Sequence, residues 1–157
     1  MKKTSILILL LFTTTFLFSQ KKEKLKGSKI VTIEKREIGT FESIEISDNI
    51  EVYLDKGEKS ELKIEADDNL HDIFNIDLSS ATLRIHTSKT ASNYKKLIVR
   101  ITYTNELKMI TSKEETVINA IQEIQLNEIT FKSFDDSKLF LNVVAKNFNL
   151  LSDHNSK

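Results

Sequence analysis

Cysteine, proline and tryptophan do not occur in this 157-residue chain, and glycine occurs only three times. Without cysteine there are no disulfide staples, no thiolate metal sites and no lipid attachment at a cysteine. Proline would remove a ladder donor, so its absence suits an extensively paired sheet. With glycine confined to Gly27, Gly39 and Gly57, the tight turns fall to Asn, Asp and Ser, several of them in left-handed or bridge conformations. An excess of charge is also missing: 23 basic residues balance 23 acidic ones. Such a chain has no electrostatic case for binding nucleic acid, whose non-specific affinity comes from phosphate neutralisation.

What is present begins with "MKKTSILILLLFTTTFLFSQ". Two lysines, the apolar run Ile6–Phe18 and a small polar exit have the layout of a secretory signal peptide over residues 1–20, cut near Ser19 or Gln20. The other reading is a retained transmembrane anchor, for which a run of thirteen residues, ten of them apolar, is short against the roughly 20 a span needs. Cleavage leaves 21 basic against 23 acidic residues on a mature chain long enough for one hydrophobic core. It would be exported, to the periplasm, the outer surface or the medium, and would not span the membrane. Residues 21–29, including "KKEKLKGSK", read as a solvated polar leader with a weak envelope-surface contact as the lesser option.

Beyond the leader, "GTFESIEISDNIEVYLDKG" (Gly39–Gly57) carries Ile44, Ile46, Ile50, Val52 and Leu54 at even positions and polar residues between them. A period of two is what a strand needs when one face is buried and the other faces water. The same alternation predicts strands over Ile30–Arg36, Ser43–Ser47, Ile50–Asp55, Leu62–Ala66, Phe74–Leu78, Leu83–Ile85 and Leu97–Tyr103. Lys113–Leu126 is the competitor to an all-β account, because Val117, Ile121, Ile124 and Glu128 share a helical stripe. The β-branched run Thr116–Ile118 and the alternation around Ile124 and Leu126 favour strand. In the last third, "LKMITSKEETV", "ITFKSFDDSKLFLNV" and "FNLLSDHNSK" start at Leu107, Ile129 and Phe148, 22 and then 19 residues apart, and each reaches a serine-containing turn. A recurrence near twenty suits one coil of a β-solenoid.

The segment Gly27–Leu70, with its Gly-Ser entry, its first strand running to Phe41, and its "SIEIS", "VYLDKG" and "LKIEADDNL" strands, resembles the opening of the putative auto-transporter adhesin, head GIN domain, family of exported proteins common in Bacteroidetes. "ATLRI" (Ala81–Ile85) and "LIVRITYTNELKMI" (Leu97–Ile110) look like its middle strands, and the resemblance covers nearly all of residues 27–152. Such proteins tend to carry "SGSG" or "SGAG" turns in the solenoidal half, where this chain has "TSKEE", "SFDDS" and "LSDHNS". The resemblance implies an exported, all-β, right-handed β-helix or β-solenoid-like single domain over residues 30–152, followed by a polar tail, 153–157. The function it implies is a non-catalytic envelope or surface module of adhesin-like type that contacts a glycan or an envelope protein through a strand-made face.

Candidate sites are few. His71, His86 and His154 are not at metal-ligand spacing, and zinc needs three or four convergent ligands. No cofactor is implied. Asp67–Asp68 and Asp135–Asp136 are turn acids that could offer oxygen to calcium or line an edge that binds or cleaves acidic sugars, although neither loop has the spacing of a dedicated calcium site. Cleavage would make the chain a carbohydrate-active β-helix enzyme, but no catalytic pair stands out among the acids, and no glycine-flanked serine elbow occurs. Tyr53 and Phe134 fall on the phase opposite to their strands' buried sets and are candidate ligand contacts together with Asp135 and Asp136. Phe74, Phe131 and Phe148 carry core phase. Phe148, Leu150 and Leu151 follow the last apparent repeat and are candidates for a self-association edge, giving a homo-oligomer through the C-terminal strand.

Overall fold

The computed structural model describes residues 22–157 apart from His154. The expected signal peptide, Lys21 and His154 lie outside the described residues. The elements in chain order are β1 (Lys24–Lys26), β2 (Val31–Arg36), β3 (Ser43–Ile46), β4 (Glu51–Lys56), β5 (Glu61–Asp67), a 3-10 helix (Asp68–Ile73), β6 (Phe74–Ser79), β7 (Thr82–Thr87), β8 (Thr90–Ser92), β9 (Leu97–Tyr103), β10 (Met109–Ser112), β11 (Val117–Ala120), β12 (Ile124–Ser133), β13 (Lys138–Phe140) and β14 (Val143–Ser152).

These strands form two six-stranded sheets, ordered β14-β12-β10-β3-β7-β6 and β13-β11-β4-β9-β5-β2, with β1 and β8 as a separate pair. From β7 to β14 and from β9 to β13 every neighbour is parallel. Each coil therefore lays one strand in each sheet, and the coils stack as in a solenoid-like all-β fold. The stack is not in chain order. The coil made by β3 and β4 lies in the middle, with β7 and β9 on one side and β10 and β11 on the other.

Period two sets the core. One inward column of the first sheet runs Leu78, Leu83, Ile44, Ile110, Phe131, Leu150 across six strands. Its middle four are sealed, while Leu78 is 37% exposed and Leu150 is 55% exposed. In the second sheet Ile64, Val99, Val52, Ile118 and Leu139 align in the same way. A neighbouring column changes character along the stack, from Ile85 and Ile46 to Ser112, Ser133 and Ser152. There the buried hydroxyls satisfy one another: Ser137 Oγ lies 3.0 Å from Ser112 Oγ and 2.8 Å from Ser133 Oγ. The serines of the apparent repeat are thus interior polar steps as well as turn formers.

One end is closed by antiparallel strands. β5 and β6 run against β9 and β7, and β2 runs against β5. β2 pairs Thr32, Glu34 and Arg36 with the inward residues Ala66, Ile64 and Leu62, so the last inward layer of the second sheet is polar. His71, from the 3-10 helix, ties it together: its Nε2 lies 2.8 Å from Thr32 Oγ1, and its Nδ1 lies 3.3 Å from Glu34 Oε2. Arg36 Nη2 donates to Glu34 Oε2 at 3.1 Å and to the His71 carbonyl at 3.4 Å.

Asp67 holds this end to the N-terminal segment. Fully buried, it accepts the backbone N–H groups of Lys29 at 2.8 Å, Lys95 at 3.0 Å and Lys96 at 3.0 Å. Burial pushes its carboxyl up, but these N–H donors outweigh burial and hold it below the usual carboxylate range. Gly27 passes so close that a Cβ there would sit 2.3 Å from Asp67 Oδ2 and 2.7 Å from the Tyr94 Cα.

Several expectations are corrected. The stretch read as a solvated leader is docked: β1 pairs in parallel with β8, Leu25 packs on the core, and Ser28 Oγ donates to Asp68. Its alternating Lys24, Leu25, Lys26 gives a short strand with one buried face. The acidic close of β5 is a 3-10 helix that buries Leu70 and Ile73. Lys113–Leu126, by contrast, is as its β-branched run and alternation predict: it holds β11 and the start of β12 and no helix. The coil period is 21 residues from Met109 to Thr130 and 19 from Thr130 to Asn149, so Leu107 sits one position off the register read from the repeat. Phe148 has core phase, its ring 5.8 Å from that of Phe131, but among the described residues no further coil covers it and it is 51% exposed.

Candidate functional site

The interior is filled by side chains, so the surfaces available for contact are the outer faces, the corners and the ends. At one corner between the sheets the chain turns through Asp48, Glu114 and Asp135, whose φ angles are 74°, 59° and 59°. None of the three glycines takes a positive φ, so the turns are made by other residues, as their scarcity requires. The corner acids link successive coils: Thr87 N donates to Asp48 Oδ2 at 2.6 Å, Glu114 N to Asp135 Oδ2 at 3.3 Å, and Asp135 N to Asp153 Oδ2 at 2.8 Å. Asp135 and Asp136 are exposed here, with Phe134 half-buried beside them.

A cleft of about 230 Å³ opens at this corner, lined among others by Asp48, Asn49, Thr87, Glu114 and Glu115. Burial raises the Asp48 carboxyl, but Lys22, which donates to it, and the Thr87 N–H bring it below the usual range. Glu114 is pushed the other way by burial, by the charge of Asp48 and by a hydrogen bond with it. The two carboxyls in this cleft are therefore shifted in opposite directions, one toward the ionised and one toward the protonated form. Hydrolysis of a glycoside needs carboxyls about 5 to 9.5 Å apart, with the sugar between them.

Tyr53 lies elsewhere, on the outer face of the second sheet. Register puts Lys35, Lys63, Arg100, Tyr53, Asn119 and Phe140 in one row, one residue per strand. The next row is Ile33, Glu65, Ile98, Glu51, Val117 and Lys138. The Arg100 guanidinium sits 4.9 Å from the Tyr53 ring centroid, and its Nη2 donates to Glu65 Oε2 at 3.3 Å. Tyr53 donates its hydroxyl to Glu51 Oε1 at 2.8 Å, which together with partial burial raises the phenol above its ordinary value. The result is a flat strip of cations, an aromatic and aliphatic side chains, with strands spaced about 4.8 Å apart. Sequence reasoning found Tyr53 and missed the rest, because the partners come from other strands.

Thus the candidate contact residues separate. Phe134, Asp135 and Asp136 share the corner, Tyr53 belongs to the strip, and Phe148, Leu150 and Leu151 lie together on β14. Among the described residues no group of three or more His, Cys, Asp or Glu side chains is arranged to hold a metal ion.

The family described as "Putative auto-transporter adhesin, head GIN domain" matches residues 40–157. Among solved structures, one described as a putative adhesin from Parabacteroides merdae superposes with a TM-score of 0.71 at 19% identity, covering 83% of this chain and 55% of that one. Another so described, from Bacteroides fragilis, gives 0.71 at 18% identity, covering 84% and 62%. A protein from Parabacteroides distasonis described as a putative lipid binding protein gives 0.61 at 13% identity, covering 82% and 63%. These likenesses are in fold, and the chain spans between about half and two thirds of the length of these three. No curated protein matches.

Proposed function

Because the chain belongs to the auto-transporter adhesin, head GIN domain, family, matched over residues 40–157, we propose that it is a non-catalytic, exported, surface-associated module of adhesin-like type. The family match carries this reading, and it agrees with the signal-peptide layout of residues 1–20. A coil that follows the right-handed preference of parallel crossovers would present the outer faces of both sheets as continuous contact surfaces.

The ligand face is the strip around Tyr53 and Arg100. An aromatic with a stacked guanidinium, flanked by Lys35 and Lys63 on one side and Asn119 and Phe140 on the other, suits an extended glycan or an envelope-protein segment carrying negative charge. The test is an array of glycans and envelope proteins probed with the purified chain and with Tyr53→Ala and Arg100→Ala. Retained binding in both variants would remove the strip from the proposal. Failure to bind any component would count against the adhesin-like reading itself.

A second reading, cleavage of acidic glycans, is favoured by one observation: Asp48 and Glu114 are shifted in opposite directions in a single cleft. Release of reducing ends from anionic polysaccharides, abolished by Glu114→Gln, would support it.

A further inference from the structure

We propose that the cleft between the end of β2 and the β4–β5 turn is a binding site for a small oxyanion, a carboxylate or phosphate group. The cleft holds about 300 Å³ and is lined among others by Lys35, Arg36, Glu37, Lys59, Ser60 and Glu61, a size at the lower end of ligand pockets. β2 runs antiparallel to β5 with Arg36 opposite Leu62. Ser60 stands two residues before Leu62 and shares its inward phase, so Arg36 and Ser60 are diagonal neighbours, about 7–8 Å apart across the ladder. These two form the floor. The residues of the other phase, Lys35, Glu37, Lys59 and Glu61, form the rim.

The floor carries two donors that the described residues leave unsatisfied. Ser60 is 5% exposed, and its Oγ has no hydrogen-bond partner. Arg36 directs its Nη2 to Glu34 and to the His71 carbonyl, yet its Nε is buried without a partner. Buried polar atoms are nearly always paired, so two orphans meeting at one cleft point to a group supplied from outside. A guanidinium N–H can only donate, and that group must therefore accept.

Charge selects its class. Neither Lys35 nor Lys59 forms an ion pair among the described residues, whereas Glu61 is engaged by Lys63 at 3.5 Å. The lining sets three cations, Lys35, Arg36 and Lys59, against two acids, Glu37 and Glu61. A water molecule would satisfy the floor donors and leave both rim ammonium groups without a counter-charge. An oxyanion meets floor and rim together through charge-assisted hydrogen bonds. The cleft shares only Lys35 with the strip around Tyr53 and Arg100, so the anion can arrive free or as the acid group of a sugar.

The test is an amide-resolved NMR titration of the purified chain with sodium phosphate, galacturonate and neutral galactose, to roughly 100 mM at constant ionic strength. The expected result is saturable shifts at Arg36, Lys59 and Ser60 with at least one of the two anions and none with galactose. Tighter binding of phosphate assigns a free anion, and tighter binding of galacturonate assigns an acidic sugar. Ser60→Ala and Lys59→Gln should each weaken binding about threefold or more, while Tyr53→Ala leaves it unchanged. Ser60→Ala also separates a ligand role from a structural one. It deletes a hydroxyl that has no partner, so the melting temperature without anion should be unchanged or higher, and its rise on adding anion should be smaller than the parent's. A lowered melting temperature without anion would show that Ser60 serves the fold. That result overturns the proposal, as do shifts that fail to saturate or that both variants leave intact.

Discussion

The two ends of the stack solve the same physical problem in opposite ways. A column of inward side chains has to stop somewhere, and its last layer has water on one side. At the antiparallel end the final layer of the second sheet is Thr32, Glu34 and Arg36, joined by His71 and covering residues that are themselves sealed, while β6 ends the first sheet with Leu78 37% exposed. At the β14 end the last described layer is Phe148 and Leu150, both about half exposed. Charge follows the same division: β2 carries Glu34, Lys35 and Arg36 among six residues, a pattern that discourages strand addition. The lesson is that a sheet covers its last apolar layer where the terminal strand changes its inward residues from apolar to polar, as β2 does. Where the strand keeps them apolar, as at β6 and β14, the layer is left partly exposed.

The sharpest way to break this contrast is at Asp67. Asp67→Ala takes the fully buried acceptor from three part-buried backbone donors, and each group left unsatisfied costs about 1–3 kcal/mol. A loss of about 4 kcal/mol is expected in urea unfolding, with β1 released from β8. A loss under about 1 kcal/mol would mean that the antiparallel end does not depend on this carboxylate.

Next in size is a comparison within one column. Ile44→Ala, in the sealed middle, should cost about 3 kcal/mol, whereas Leu150→Ala should cost about 1 kcal/mol or less when measured in dilute solution. Equal losses would show that Leu150 is covered.

The pH response separates the antiparallel end from the corner. The Asp67 carboxyl is held below its ordinary 3.8, so the unfolded chain binds the proton first as pH falls. Its contribution is complete above that value and is lost as pH drops from there through the folded-state value. Glu114 is raised above 4.5, so its contribution has the opposite sign: complete below 4.5 and lost as pH rises through the folded-state value. Denaturant midpoints against pH for the parent, Asp67→Asn and Glu114→Gln should each lose one of these limbs.

The smallest effect is at the turns. Glu114 stands at φ 59°, which costs a non-glycine residue roughly 1 kcal/mol. Glu114→Gly should therefore raise stability by a few tenths of a kcal/mol to about 1 kcal/mol, the gain being reduced by glycine's greater chain entropy. A calorimetric decrease would show that the Asp48 contact outweighs the strain.

Strand positions could be read in the sequence because alternation is local. Ile44 and Ile46 announce their face whatever lies beside them. The stacking order could not, since nothing near Ser43 says that its neighbours will be Thr82 and Met109. Asp67 read as a turn acid because its donors lie in two distant loops, and an aspartate looks the same in sequence whether it ends buried or wet. The partial reading of the strip has the same origin: Tyr53 was visible as an aromatic out of phase, but Arg100 reaches it only through the pairing of β4 with β9. At β14 the phase was legible and the exposure was not, because burial depends on whether another layer follows. The docked N-terminal segment was missed because its lysine-rich composition hides Leu25 and the close approach at Gly27.

The middle position of the coil made by β3 and β4 has a consequence in time. As the chain is synthesised, that coil emerges early with neither of its neighbours. It must wait for β7 and β9 to supply one side and for β10 and β11, whose Met109 reaches back to Ser43, to supply the other. Closing so long a loop comes before any coil can be added, which makes nucleation the slow step. After it, each new coil docks on a finished template only about twenty residues upstream and can add in sequence, like successive teeth of a zip fastener. Synthesis thus delivers the antiparallel end and the middle before β12 and β14. A pause or a break in the last coils would shorten the stack and leave its nucleus intact.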